Sequence, residues 1–274
     1  MRPSVPFVFG VIAALAGPAF ASAAAVTIAD KNLEAALKAV LHDPKDGLTE
    51  ENLANVHILD APGKDIKDLS GLEKCKNLAK IKFSKNQISD LKPLKDMANL
   101  QSLDLSGNKI TDLAALAGLT KLQYLELSNN QIADLKPLGG LAKLSALTLS
   151  GNKVSDLGPL AGLTELSSLY LDHNQIADVA PLAKLTKLST LNLKDNQIKD
   201  LGPVAKQTEL RMLILEKNKI ADLTPLVNAA KEDAEKDKRF APYLRLYLKD
   251  NPLSDDAKTK QLEALKSFGV HIES

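Results

Sequence analysis

The chain has no tryptophan, a single cysteine and, over 274 residues, only four tyrosines and six phenylalanines. One thiol, Cys75, excludes an intrachain disulfide framework and any multi-cysteine metal or iron–sulfur site. An excess of one charge is missing too, because 35 basic side chains face 34 acidic ones. Without a basic face to displace counterions from phosphates, nucleic-acid binding is not expected. An acidic disordered tail is equally unsupported. No uninterrupted apolar run reaches the roughly 20 residues that span a bilayer. What is abundant is leucine, at 50 residues. A core made of one small branched side chain implies many identical niches rather than one irregular jigsaw, and therefore a repeat.

The first residues read as a targeting segment. Arg2 precedes the apolar stretch Val5 to Ala16, interrupted by Pro6 and Gly10, and Gly17-Pro18 ends it before Ala19-Phe20-Ala21. A basic start, an apolar stretch and an A-x-A site predict a secretory signal peptide over residues 1–21, cleaved after Ala21, with Ala23 and Ala25 as further acceptable small residues. An uncleaved membrane anchor is the alternative. No cysteine lies near the cleavage site, so a lipoprotein anchor is not expected. The mature chain is accordingly read as a soluble bacterial protein without a membrane span, exported to the periplasm or secreted.

Beyond that segment a 22-residue period organises the chain. Asparagine recurs at Asn86, Asn108, Asn130, Asn152, Asn174, Asn196 and Asn218, and once more, after a longer step, at Asn251. Leucines keep the register, as Leu100, Leu103 and Leu105 before Asn108 and Leu122, Leu125 and Leu127 before Asn130. After each asparagine come an aliphatic residue, such as Ile110 or Ile132, and an aspartate, such as Asp112 or Asp134. Self-similarity at such a period is the signature of a solenoid.

Elementary geometry explains the spacing. Side chains alternate along a strand, so Leu103 and Leu105 point inward together while Asp104 faces solvent. Each repeat thus contributes one short parallel strand. Asn108 and its equivalents stand where the chain leaves the strand, and a side-chain amide there can satisfy backbone groups that the turn leaves unpaired. Asp112 is placed to cap the return segment, and prolines such as Pro93, Pro137 and Pro159 fall where a first helical turn tolerates them. Cys75 takes the register of Leu119, Leu141, Leu163 and Leu185, which predicts a small buried apolar residue rather than a reactive thiol.

The pattern L-x-x-L-x-L-x-x-N-x-I, continued by Asp-Leu-x-Pro-Leu, resembles the short leucine-rich repeats of bacterial internalins and of a leucine-rich-repeat regulator of a protein phosphatase, over roughly residues 56 to 251. The resemblance implies a leucine-rich repeat horseshoe: an α/β solenoid with a concave parallel β-sheet, short convex 3-10 or α segments and helical caps at both ends. The expected organisation is a signal peptide at 1–21, a helical N-terminal cap at 22–55, about nine repeats at 56–251 and a helical C-terminal cap at 252–274. Apolar spacing at Ile28, Leu33, Leu37 and Leu41, with Asp30 and Thr49 as N-caps, supports the first cap. The first repeat is degenerate, with Lys64 in the asparagine position. The step from Asn218 to Asn251 is 33 residues, an insertion of 11, and Lys231 to Arg239 reads as a charged convex helix. Asp255 to Phe268 reads as an amphipathic closing helix.

Nine strands about 4.8 Å apart would make a sheet roughly 40 Å long. Its solvent-facing positions hold three of the four tyrosines. Tyrosine is enriched at interface hot spots, and Met212 and Ile214 would be apolar groups with no core to serve. The predicted partner-binding patch is therefore Tyr124, Tyr170, Met212, Ile214 and Tyr247. The alternative is that these residues are simply good strand formers. A further column, Asp172, Lys194, Glu216 and Lys249, alternates in sign and predicts cross-strand ion pairs.

No catalytic residue, metal site or cofactor is predicted. His173 with Asp172, Asp195 and Glu216 is the one cluster that could hold a cation or act as an acid–base pair, but it would sit on an open surface with nothing to exclude water. The Gly-Asn pairs at Gly107 and Gly151 belong to repeat turns and do not form a phosphate loop. The leading reading is a non-enzymatic, monomeric module that binds an unidentified protein or peptide on its concave face. A self-associating envelope protein is the second reading, and a hydrolase acting through His173 a distant third. The resemblance to internalins implies adhesion or host-surface binding, although their Ig-like domain and wall anchor have no counterpart in these residues. The resemblance to the phosphatase regulator implies an intracellular partner, which the signal peptide contradicts.

Overall fold

The computed structural model describes residues 25–236 and 239–273. The expected signal peptide and its cleavage site lie outside them. Ten three-residue strands form one parallel sheet in strict chain order: β1 Ile58–Asp60, β2 Lys80–Lys82, β3 Ser102–Asp104, β4 Tyr124–Glu126, β5 Ala146–Thr148, β6 Ser168–Tyr170, β7 Thr190–Asn192, β8 Met212–Ile214, β9 Arg245–Tyr247 and β10 His271–Glu273. Each central residue, Leu103 or Leu125 for example, is buried, whereas the residues on either side face out. The product is a leucine-rich repeat horseshoe.

A 22-residue repeat leaves few residues for the return path, and the chain uses tight 3-10 turns such as Ala114–Leu116, Lys136–Leu138 and Gly158–Leu160. Each turn begins on an aspartate. Asp112 Oδ1 accepts from the N–H of Ala114 at 2.8 Å, and Asp90, Asp134, Asp156, Asp178, Asp200 and Asp222 repeat that bond at 2.8 to 3.0 Å. Inside, Leu100, Leu103, Leu105, Ile110, Leu113, Leu116 and Leu119 of one repeat are all buried. At about 1.5–3 kcal/mol for each such side chain, this stack is the main stabilising term. Cys75 is buried in the leucine register, and that burial, with the nearby charge of Glu73, pushes its thiol pKa up to about 12.

The asparagines stitch successive repeats together. Asn108 Nδ2 donates to the carbonyls of Leu105 at 2.9 Å and Phe83 at 3.0 Å, and its Oδ1 accepts from the N–H of Ile88 at 2.9 Å. Equivalent bonds are made by Asn86, Asn130, Asn152, Asn174, Asn196, Asn218 and Asn251. The residue before each asparagine is left-handed, at Lys85, Gly107, Asn129, Gly151, His173, Asp195, Lys217 and Asp250, with φ between 53° and 66°. Only two of these eight are glycine, the residue that adopts such a conformation without strain.

At the N-terminal end, α1 (Lys31–Val40) buries Leu33 and Leu37, one turn apart. Asp30 Oδ1 caps it through the N–H groups of Asn32 and Leu33, while Oδ2 accepts from Lys67 N–H at 2.7 Å and Asp68 N–H at 3.2 Å. One carboxylate therefore both starts the helix and ties it to the first repeat. Thr49 and Asn52 form a capping box on α2 (Glu50–Leu53).

The C-terminal end departs from expectation in two places. Whereas the charge run predicts a helix over Lys231–Arg239, the chain first makes a short turn, α3 (Gly202–Ala205), and then a longer helix, α4 (Thr224–Glu235). The insertion extends the return turn of its repeat from its start, so Leu226 and Ala230 remain on the core side. Asp233 then accepts from the N–H groups of Arg239, Phe240 and Ala241, which seats Phe240 in the core. The second departure follows the closing helix, whose last turns are α5 (Leu262–Ser267). After it the chain re-enters the sheet as β10, parallel to β9. Gly269, at φ 95°, makes that corner, and Val270 is buried.

Candidate functional site

The concave face is read in two columns, the first and third residues of each strand. Tyr124 lies in the first column on β4 and Tyr170 in the third on β6. Met212 and Ile214 lie on β8 and Tyr247 on β9. Ile214 stands directly opposite Tyr247, and Met212 opposite Arg245. The five residues are thus not one continuous patch: Ile214 and Tyr247 touch registers, whereas Tyr124 and Tyr170 are separated by Ala146 and Thr148 on β5, and Tyr170 is separated from Ile214 by Asn192 on β7. Tyr124 is 40% exposed and the other four are half-buried.

Charge on this face is unevenly distributed. Asp104 and Glu126 stand opposite each other on β3 and β4. Asp104 Oδ1 accepts from the N–H of Ser106 at 3.0 Å and its hydroxyl at 2.7 Å, and Glu126 Oε1 from Ser128 N–H at 2.8 Å. Burial pushes the Tyr124 phenol pKa up, reinforced by the charges of Glu126 and Asp104. In the next column Lys194 Nζ meets Glu216 at 2.6 Å, and this bond raises the lysine pKa. Of the alternating column, this is the only ion pair between neighbouring members among the described residues. Asp172 is instead turned to Ser150 Oγ at 2.6 Å, Asn192 Nδ2 at 2.8 Å and His173 Nδ1 at 2.9 Å.

His173 lies between Asp172 and Asp195, whose Oδ2 is 3.6 Å from Nε2, while Glu216 is engaged by Lys194. Among the described residues, no group of three or more histidine, cysteine, aspartate or glutamate side chains is placed to hold a metal ion. A depression of about 600 Å³ lies on the convex side, between the turns that begin at Asp90 and Asp112, away from the tyrosines.

Around the last strands lies a cluster that the leucine pattern does not reveal, with Arg211 just before β8 and Tyr243 in the 3-10 turn before β9. The Arg211 guanidinium lies 5.3 Å from the ring centre of Tyr243, itself 58% exposed, and that of Arg245 lies 6.0 Å from the ring centre of Tyr247. Arg245 also binds Glu273 on β10 at 2.8 Å. A signal was available: three of the four arginines fall between residues 211 and 245, and Tyr243, Arg245 and Tyr247 alternate.

These features define a leucine-rich repeat solenoid with an open, side-chain-rich concave face. The family model "Leucine Rich repeats (2 copies)" matches residues 98–140, 142–184 and 186–228. Internalin C2 of Listeria monocytogenes is 35% identical, over 66% of this chain and 91% of that one, with a TM-score of 0.56. The functional domain of InlJ from Listeria monocytogenes, which includes a cysteine ladder, is 25% identical over 82% of this chain and 51% of that one, with a TM-score of 0.60. The leucine-rich repeat ectodomain of the Arabidopsis thaliana receptor kinase GASSHO1/SCHENGEN3 shares the fold at 24% identity and a TM-score of 0.61, over 74% of this chain and 26% of that one. No curated protein sequence matches the chain significantly. The chain belongs to the internalin-like leucine-rich repeat family.

Proposed function

We propose that this protein is a non-catalytic recognition module that holds a protein or peptide partner on the concave face of its solenoid. The observation that carries this reading is the presence of Tyr124, Tyr170, Met212, Ile214 and Tyr247 on a face whose core role is already filled by the strand leucines. Side chains of this kind are stiff, amphipathic or apolar and supply most of the energy at hot spots. The fold agrees, since a repeat solenoid builds an extended concave surface from elements that contact only their neighbours. Arg245, beside the Tyr247 ring on β9, adds a cation to the same surface at its C-terminal end. The working division is a signal peptide at 1–21, a helical cap at 22–55, repeats at 56–251 and a closing cap at 252–274, the module acting as an exported monomer in the periplasm or outside the cell. Among the described residues, no helix is long and apolar enough to cross a membrane.

The test is capture of partners from the native compartment by the wild-type chain and by a Tyr170→Ala, Ile214→Ala double variant. Loss of the captured protein in the variant is expected. Equal capture by both would reject the concave patch, and recovery of the chain's own copies alone would favour a self-associating structural protein.

A further inference from the structure

Asp104 and Glu126 present like charges directly across neighbouring strands, an arrangement that destabilises a sheet unless something compensates. Among the described residues neither carboxylate has a cationic partner. Lys82 is in register with Asp104 from β2 but forms no ion pair with it. Beside the two acids lies the half-exposed ring of Tyr124, and Tyr170 lies two strands farther along the sheet. An aromatic face next to carboxylates is a receptor for an ammonium or guanidinium group, which is attracted by the ring quadrupole and by the charges together.

The chain supplies an internal precedent. On β9 and β10, Tyr247 and Glu273 are also opposite each other in the third column, and there the combination is filled: Arg245 reaches over the Tyr247 ring and binds Glu273. On β3 and β4 the ring and the acids are present, and although Lys82 is in register with Asp104, no cation is paired with either acid among the described residues.

We propose that the Asp104, Glu126 and Tyr124 site receives a lysine or arginine side chain from a basic segment of the partner protein, whose apolar side chains then continue across the concave face toward Met212 and Ile214. This rests on the concave-face reading and names the partner's chemistry. The basic residue relieves the repulsion between the two acids, and its attraction is screened by salt because the site is open to solvent.

The test is selection of a phage-displayed library of random dodecapeptides on the full chain, followed by affinity measurements on the selected peptides. Enrichment of lysine- and arginine-bearing sequences is expected, with binding weakened about tenfold by an Asp104→Asn, Glu126→Gln double variant and weakened again between about 50 and 500 mM salt. Both substitutions keep side-chain size and remove the repulsion, and an unfolding midpoint no lower than that of the wild type verifies that the fold is retained. Selected peptides that are neutral or acidic, or that bind the double variant as tightly as wild type, overturn the proposal. If such peptides still lose affinity in Tyr170→Ala plus Ile214→Ala, the concave-face reading survives without it. If no peptide is enriched, or if binding is indifferent to all four positions, both fail.

Discussion

Gly151 and His173 occupy the same left-handed corner of two successive repeats, at φ 66° and 55°. The corner is imposed by the solenoid, because the next residue must turn its amide into the asparagine ladder, and the side chain at the corner is tolerated rather than required. A non-glycine residue there costs about 1–2 kcal/mol in backbone strain. Lys217→Gly is therefore expected to raise stability by about 0.5–1 kcal/mol after glycine's greater chain entropy is deducted. Gly151→Ala should lower it by about 1–2 kcal/mol, since the added Cβ would also lie 2.6 Å from Asn129 Oδ1. Urea unfolding midpoints of the two variants check both signs.

Loss of a ladder amide should be more damaging than loss of a surface contact. In Asn130→Ala the buried N–H of Ile110 loses its partner, and the carbonyls of Leu105 and Leu127 each lose one of two bonds, keeping those from Asn108 and Asn152. A cost of about 3 kcal/mol is expected. Asn251 makes the same three bonds but is only half-buried, so water can replace its amide and Asn251→Ala should cost clearly less. Equal losses in denaturant titrations would contradict a burial-dependent role.

Gln207 stands in the convex register that leucine fills at Leu119, Leu141, Leu163 and Leu185. It is 1% exposed; its Nε2 donates to the Leu182 carbonyl at 2.6 Å, but its Oε1 has no hydrogen-bond partner. Gln207→Leu exchanges a buried, half-satisfied amide for the side chain its neighbours use. A gain of about 1–2 kcal/mol is expected, less the lost bond to the Leu182 carbonyl, which still accepts from the Leu185 N–H. A lower midpoint in thermal or urea unfolding would show that the amide is better accommodated than its bonds suggest.

Acid should loosen the N-terminal cap first. Burial raises the Asp30 pKa, but the N–H groups of Lys67, Leu33, Asp68 and Asn32 outweigh it and leave the value lowered. Hydrogen bonds from Lys31 and Lys38 bring Glu34 from 4.5 to about 2. Both groups are more acidic folded than unfolded, so the contribution of Glu34 is lost as the pH falls from about 4.5 toward about 2, and that of Asp30 as it falls below the ordinary value of 3.8. The exposed Glu34 pairs contribute little through screening solvent, so Asp30 carries the effect. Amide exchange in α1 should accelerate across that window ahead of the central repeats, and in Asp30→Asn it should be fast already at neutral pH.

Much of this molecule was legible residue by residue. The strand leucines, the turn aspartates, the asparagines and the buried Cys75 all act within one repeat or between adjacent ones, so a fixed period transmits their roles directly. The caps Asp30 and Thr49 were legible for the same reason, because capping is local. β10 was not: His271, Ile272 and Glu273 carry no leucine or asparagine signal, and they form a strand because β9 offers an unpaired edge and Gly269 turns the chain back to it. Nor was α4, whose start depends on the core position reserved for Leu226 rather than on the charges of residues 231 to 239.

The sequence by itself determined the solenoid, its register and which side chains line the concave face, since period-two alternation decides inside from outside without reference to the rest of the chain. Only the tertiary structure decided how those side chains combine. Stacking across 22 residues or more turned Asp172 to Ser150 instead of Lys194 and brought Arg245 to Glu273. Such pairings depend on rotamer and on competing hydrogen bonds, which the repeat pattern does not encode.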